Sequence, residues 1–157
     1  MLTVAAKRTI GAGPGAVWDV VGDPHHLPRW WPRVVRVEGV DERGFTQVLA
    51  GKRGKLVRAD FDVLEADAER RVVWEQHLAG TPFEAVLGSA VTAIEIAPAA
   101  GGAATDVRIE LRQELTGADG GGLRMLSLRP FGGSLVKRAA ARTLEQALAG
   151  LERVFGT

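Results

Sequence analysis

Between residues 105 and 115 the chain alternates cleanly: Thr105, Val107, Ile109, Leu111, Gln113 and Leu115 interleave with Asp106, Arg108, Glu110, Arg112 and Glu114. A period of two sends successive side chains to opposite sides of a strand. One side of this strand is therefore charged and the other nearly all apolar. Val57, Ala59, Phe61 and Val63 alternate in the same way with Arg58, Asp60 and Asp62. Phe61, Val57 and Leu111 should then point inward, and Asp62, Arg108 and Arg112 should face water. Extended segments recur at 34–40, 45–50, 55–66, 72–77, 83–97 and 105–115. The stretches between them have the Gly, Pro and Asp content of hairpin turns. Six strands in succession with such short connections predict an antiparallel meander.

Helical signals flank this region. Residues 2–10 read as one more strand, and Gly11, Gly13, Pro14 and Gly15 then break the chain before a short helix over 16–21, started by Pro14. Asp23-Pro24 ends it, and residues 27–31, held among Pro24, Pro28 and Pro32, have room only for a turn or a second short helix. Near the end, residues 130–155 place Leu135, Ala139, Ala140, Thr143, Leu144, Ala147, Leu148 and Leu151 at helical spacing. A helix of about 25 residues rises close to 40 Å, enough to cross a sheet diagonally and cover its apolar face. A curved sheet gripping such a helix leaves space between the two, predicting an apolar cavity for a small hydrophobic molecule. Gly117–Gly122, with Pro130, Gly132 and Gly133 at the helix start, suggests a flexible gate to that cavity.

Composition narrows the function classes. The 157 residues are 46% hydrophobic and 25% charged, the balance of a folded globular chain, and one domain over 1–157 is expected. Twenty basic against nineteen acidic residues give a net charge of +1, too little to hold a nucleic-acid backbone. Lys52, Arg53, Lys55 and Arg58, and again Lys137, Arg138 and Arg142, read as solvated faces. There is no cysteine, hence no disulfide framework and no thiol nucleophile. The opening MLTVAAKRT lacks the apolar run of a signal peptide, and no apolar stretch reaches the roughly 18 residues of a membrane span. A cytoplasmic location without a membrane span is the expectation.

Candidate chemistry is sparse. Gly11, Gly13 and Ala16 fit the spacing of a dinucleotide-binding turn, but three prolines and a run of hairpins follow where that motif needs a helix and a parallel strand. Ser89, Ser127 and Ser134 stand in no nucleophile motif, and His25, His26 and His77 have no metal-ligand spacing. No metal and no cofactor are expected. His77, near a strand end, is the weak candidate for a general acid or base, its plainer reading being a rim residue before the Gly80 turn. Gln113 interrupts an apolar face, and a buried amide needs a partner, either a ligand or a neighbouring side chain. Trp30, Trp31, Trp74 and Phe61 supply bulk for a cavity wall or an ordinary core, whereas Trp18 on the first short helix suits the core.

The run Gly15-Ala16-Val17-Trp18-Asp19-Val20-Val21-Gly22-Asp23-Pro24, followed by Leu27-Pro28-Arg29-Trp30-Trp31-Pro32, resembles the opening of SRPBCC or START-like proteins, in their polyketide cyclase/dehydrase and lipid-transport branch. Arg70-Arg71-Val72-Val73-Trp74 is similar to their mid-sheet strand, and Leu128-Arg129-Pro130 through Leu151-Glu152-Arg153 to their closing helix. The resemblance implies an α+β helix-grip fold: a curved seven-stranded antiparallel sheet wrapped around a long C-terminal helix, with two short helices after the first strand. It also implies a hydrophobic cavity in a family whose members bind lipids, sterols, polyketides or quinones, only some of them catalysing cyclisation or dehydration. The chain has no Tyr and no Asn, two common polar cavity groups.

Three functions follow as expectations: binding or carriage of a small hydrophobic molecule, a polyketide cyclase or dehydratase using the same cavity, and a protein-interaction module whose partner the sequence does not name. The expected ligand-binding residues are Trp30, Trp31, Val57, Phe61, Trp74, Leu111, Gln113, Met125 and Leu135. Polar groups in the cavity would favour an enzyme, an all-apolar lining a carrier, and a filled core with an exposed apolar patch an interaction module.

Overall fold

The computed structural model describes residues 1–81, 84, 87–115 and 129–156, with side chains in the last segment from 135 onward. The elements run β1 (Leu2–Ile10), α1 (Pro14–Val21), α2 (Leu27–Trp30), β2 (Val34–Glu38), β3 (Gly44–Ala50), β4 (Leu56–Asp67), β5 (Arg71–Gln76), β6 (Leu87–Ala99), β7 (Ala104–Leu115) and α3 (Arg129–Val154). The strands form one seven-stranded sheet in the order β1-β7-β6-β5-β4-β3-β2. Every pairing is antiparallel. This is the expected meander with the first strand added beside the last. The strand expected from residue 83 begins at Leu87. The proposed gate over 117–122 lies outside the described residues, as do the side chains of Pro130, Gly132 and Gly133.

Three irregularities bend the sheet. Register shifts fall between Val34 and Arg36, between Val63 and Glu65, and between Leu87 and Ser89. Each leaves one residue of its strand unpaired, the arrangement that kinks a strand and increases its twist. Val35 and Leu64 are two of these extra residues, which explains why apolar side chains there are half exposed, at 50% and 55%. Sequence alternation had read both strands as continuous.

The concave face carries the core. Ile94 and Ile96 of β6, Val107 and Ile109 of β7 and Trp74 of β5 are buried there against Val17, Val20 and Val21 of α1 and Leu144, Leu148 and Leu151 of α3. The buried stripe of α3 is Ala140, Leu144, Ala147, Leu148 and Leu151, the period expected of a helix with one apolar side. Fully burying each leucine stabilises by about 1.5–3 kcal/mol. Leu135 departs from that stripe and is 62% exposed.

The C-terminal half of α3 is tied down at two places. Arg8 of β1 reaches Glu145 and Glu152 at 2.8 Å each, fastening the helix to the sheet edge. At Gly150 the helix passes so close to α2 that a Cβ would lie 2.3 Å from the Trp30 carbonyl oxygen. Only glycine permits that approach. The N-terminal half has no comparable anchor among the described residues, and a cavity opens beneath it.

Candidate functional site

An aromatic wall forms one side of this cavity. Trp74 sits at the centre, with ring centroids 6.0 Å from Trp31, 5.3 Å from Phe45 and 6.4 Å from Phe61. Phe45 and Phe61 stack at 5.2 Å, as cross-strand partners of β3 and β4. Edge-to-face and stacked contacts of this kind fix the rings of the wall in place. Across β6 and β7 the same face continues through Thr92, Ala90, Leu111 and Gln113, paired Thr92↔Leu111 and Ala90↔Gln113. The roof is α3, which brings Val136, Ala140 and Thr143 over the sheet. The enclosed volume is about 600 Å³, within the range typical of small-molecule sites.

The lining is not uniformly apolar. Gln47 of β3 is 2% exposed, and its Nε2 has no hydrogen-bond partner among the described residues. Gln113 Oε1 and Trp74 Nε1 are likewise buried without partners. A buried polar atom left unpaired costs about 1–3 kcal/mol, and most native interiors avoid it. Trp30 Nε1, in the core away from the lining, is also buried without a partner, so three of the four such atoms among the described residues belong to residues that line the cavity. At the rim stand Arg33 and Arg142, both exposed. No aspartate, glutamate, histidine or lysine lines the space among the described residues.

Of the expected ligand-binding residues, Trp31, Phe61, Trp74, Leu111 and Gln113 meet at this cavity. The others do not meet there or lie outside the described residues. Trp30 is 3% exposed and lies beneath Trp31, against Gly150. The two adjacent tryptophans have opposite roles because α2 closes between them. Val57 shares the inward side of β4, but it sits by the Gly51 turn, beyond the lining. Leu135 projects into solvent because it lies off the buried stripe of α3. Met125 lies outside the described residues.

His77 does not face the cavity. Trp74 and Gln76 face the cavity, so the odd-numbered neighbours Glu75 and His77 face away. His77 Nε2 donates to Asp62 Oδ2 at 2.5 Å on the outer, wet side. That hydrogen bond raises the imidazole pKa above its ordinary 6.5. Alternation with Trp74 would already have revealed the orientation.

Residues missed in the sequence include Gln47, which alternates with Phe45 and Leu49, and Gln76, which alternates with Trp74. That pattern could have found both. Arg33 could not be found so. It follows Pro32 with φ of 69°, in the left-handed region that side chains other than glycine seldom adopt, and its carbonyl accepts from Ala50 N at 2.8 Å. Arg142 is exposed, as its solvated helix face implied, and also borders the cavity.

A second hollow, near Pro14 and the Asp67–Arg71 turn, is larger at about 780 Å³ but shallow. Its Arg71 is occupied by Glu65 and Glu95. Asp23, near the α1 end, caps the next turn: burial pushes its carboxyl pKa up, but bonds from the His25 backbone and ring outweigh this and hold it low. Among the described residues no group of three or more His, Asp or Glu could hold a metal ion, and no helix is long and apolar enough to cross a membrane.

A strongly bent antiparallel sheet closed by a C-terminal helix over an internal cavity defines a START-like, helix-grip protein. The chain matches the family described as polyketide cyclase / dehydrase and lipid transport over residues 1–156, and it belongs to that family. Among solved structures, a START superfamily protein from Mycobacterium smegmatis superposes with a TM-score of 0.74 at 15% identity, covering 98% of this chain and 96% of that one. A protein of Thermus thermophilus is 25% identical with a TM-score of 0.69, over 97% and 95% of the two chains. The protein XoxI from Bacillus cereus gives 0.72 at 15% identity, over 99% and 96%. No curated protein matches the sequence.

Proposed function

We propose that the protein binds and carries a small, mostly apolar molecule with oxygen functions in the cavity between the sheet and α3. The observation that carries this reading is an aromatic wall of Trp31, Phe61 and Trp74 facing three buried polar atoms without partners, within about 600 Å³. A pure hydrocarbon would leave Gln47, Gln113 and Trp74 Nε1 unpaired. In a lipid or polyketide-like molecule a carbonyl offers an acceptor to Gln47 Nε2 or Trp74 Nε1, and a hydroxyl can also donate to Gln113 Oε1. Family membership points the same way, toward a hydrophobic ligand.

Binding is favoured over cyclisation or dehydration by the absence of a suitable proton carrier among the described lining residues. Arginine stays protonated near neutrality, and glutamine, threonine and tryptophan do not titrate there. If a ligand buries about 200 Å² of apolar surface, transfer at roughly 25 cal/mol per Å² gives about 5 kcal/mol before ordering costs, and a micromolar affinity is expected.

Native mass spectrometry of the purified protein, followed by extraction, tests the reading. A bound organic molecule with at least one oxygen function is the expected result. A protein that stays empty and fails to take up an apolar fluorescent probe would overturn it.

A further inference from the structure

Some cations of the protein are matched by carboxylates and others are not, and two of the unmatched ones line the cavity. On the outer side of the sheet, Arg108 and Arg112 flank Glu110 at 3.0 and 2.5 Å. Arg36 and Arg58 flank Glu38 at 2.7 and 2.5 Å. Arg33 and Arg142 have no carboxylate partner among the described residues, and no acidic residue lines the cavity they border. One comes from the α2–β2 connection and the other from α3, so the fold brings two arginines from distant parts of the chain into the lining of one cavity. Arg33 also keeps a side chain where the backbone favours glycine.

The geometry points to a ligand that is an anionic amphiphile: an apolar body against Trp74 and Phe61, with an ionised carboxylate, sulfonate or phosphate ester at the rim between Arg33 and Arg142. This deepens the cavity reading above and rests on it. Arginine presents a planar fork of donors that matches such anions in two-point contacts. An acid group at the rim remains partly hydrated, so its desolvation cost is small while its charge is matched. The same group deeper inside would be stripped of water with only amides to replace it.

The test uses two probes with one arylamine skeleton, anilinonaphthalene sulfonate and the neutral phenylnaphthylamine. Arg33→Gly relieves the left-handed backbone while removing the cation, and Arg142→Gln keeps the helix and the side-chain stem. Each is expected to weaken the sulfonate probe by about three- to tenfold and to leave the neutral probe within about twofold. Added salt should weaken the sulfonate probe alone. Lys137→Gln, one turn away and outside the lining, should change neither. Displacement of the sulfonate probe by oleate but not by oleyl alcohol would extend the result to a free acid. Displacement by phosphatidylglycerol vesicles would assign the anion to a lipid headgroup.

Unchanged sulfonate affinity in both arginine variants, with Phe61→Arg abolishing both probes, would overturn the anion site and leave the cavity reading standing. Equal loss of both probes in the arginine variants, equal weakening by Lys137→Gln, or equal displacement by acid and alcohol would also overturn it. If wild type binds neither probe, or if folded Phe61→Arg binds both unchanged, the cavity reading itself fails.

Discussion

The two sides of the sheet treat polar groups in opposite ways. On the convex side several charges are answered by a neighbour on the same strand or a nearby one. Arg108, Glu110 and Arg112 form a ladder along β7, Glu38 joins Arg36 to Arg58 across β2 and β4, and His77 meets Asp62. The carboxyl pKa values of Glu110 and Glu38 are held low by these contacts, from Arg108 foremost in one and Arg36 in the other. On the concave side, polar atoms of Gln47, Gln113 and Trp74 are buried without partners, and two arginines border the opening unpaired. Burying polar atoms without partners on the concave side carries a stability cost.

The largest effect should come from Phe61→Arg, which puts a charge into the aromatic wall. Probe binding should fall by about a hundredfold or more, since an unpaired charge cannot be buried there. Arg108→Ala on the other side should leave binding unchanged. Fluorescence titration of both folded variants checks the pair, and equal affinity in wild type and Phe61→Arg would break the comparison.

Gly150→Ala ranks next. The added Cβ would meet the Trp30 carbonyl at 2.3 Å, so α2 and α3 must separate. A loss of about 2–3 kcal/mol is expected from this overpacking, with weaker probe binding as Trp31 moves with α2. Denaturant unfolding and probe titration on one sample measure both.

Gln47→Met separates the two sides most directly. Replacing a buried unpaired amide by an apolar side chain of similar volume should stabilise the empty protein by about 1 kcal/mol, and weaken any oxygen-bearing ligand by a comparable amount. Glu110→Gln, which strips two arginines of their carboxylate, should lower stability by about 0.5–1 kcal/mol without touching binding. A destabilised Gln47→Met would mean that the amide serves the fold and not a ligand.

The smallest effect is the pH dependence of His77. Its pKa is raised in the folded state above 6.5, so the Asp62 contact stabilises fully below the unfolded value and is lost as pH rises through the folded one. Half exposed, the pair should contribute about 0.5 kcal/mol or less. Comparing wild type with His77→Gln, the stability gap should be present near pH 6 and gone near pH 9. Probe affinity should not follow it, because the imidazole faces away from the cavity.

Much of this was determined by the sequence itself. Strand alternation and helix periodicity are local signals, and they placed Phe61, Leu111 and Gln113 inward, Asp62, Arg108 and Arg112 outward, and Leu144, Leu148 and Leu151 under the closing helix. The same alternation contained Gln47, Gln76 and the outward turn of His77. Other features depend on contacts between segments far apart in the chain. The bulges that expose Val35 and Leu64 arise where strand pairs fall out of register while the sheet bends. Trp30 became core and Trp31 wall because Gly150, over a hundred residues later, lets α3 press on α2. Leu135 lies off the buried stripe of α3, on the side that faces solvent. Arg33 and Arg142 share a rim only after the helix has docked. Periodicity tells which side of an element is apolar, but whether two apolar sides meet or stand apart over a cavity is decided by the few close contacts that set the distance between them.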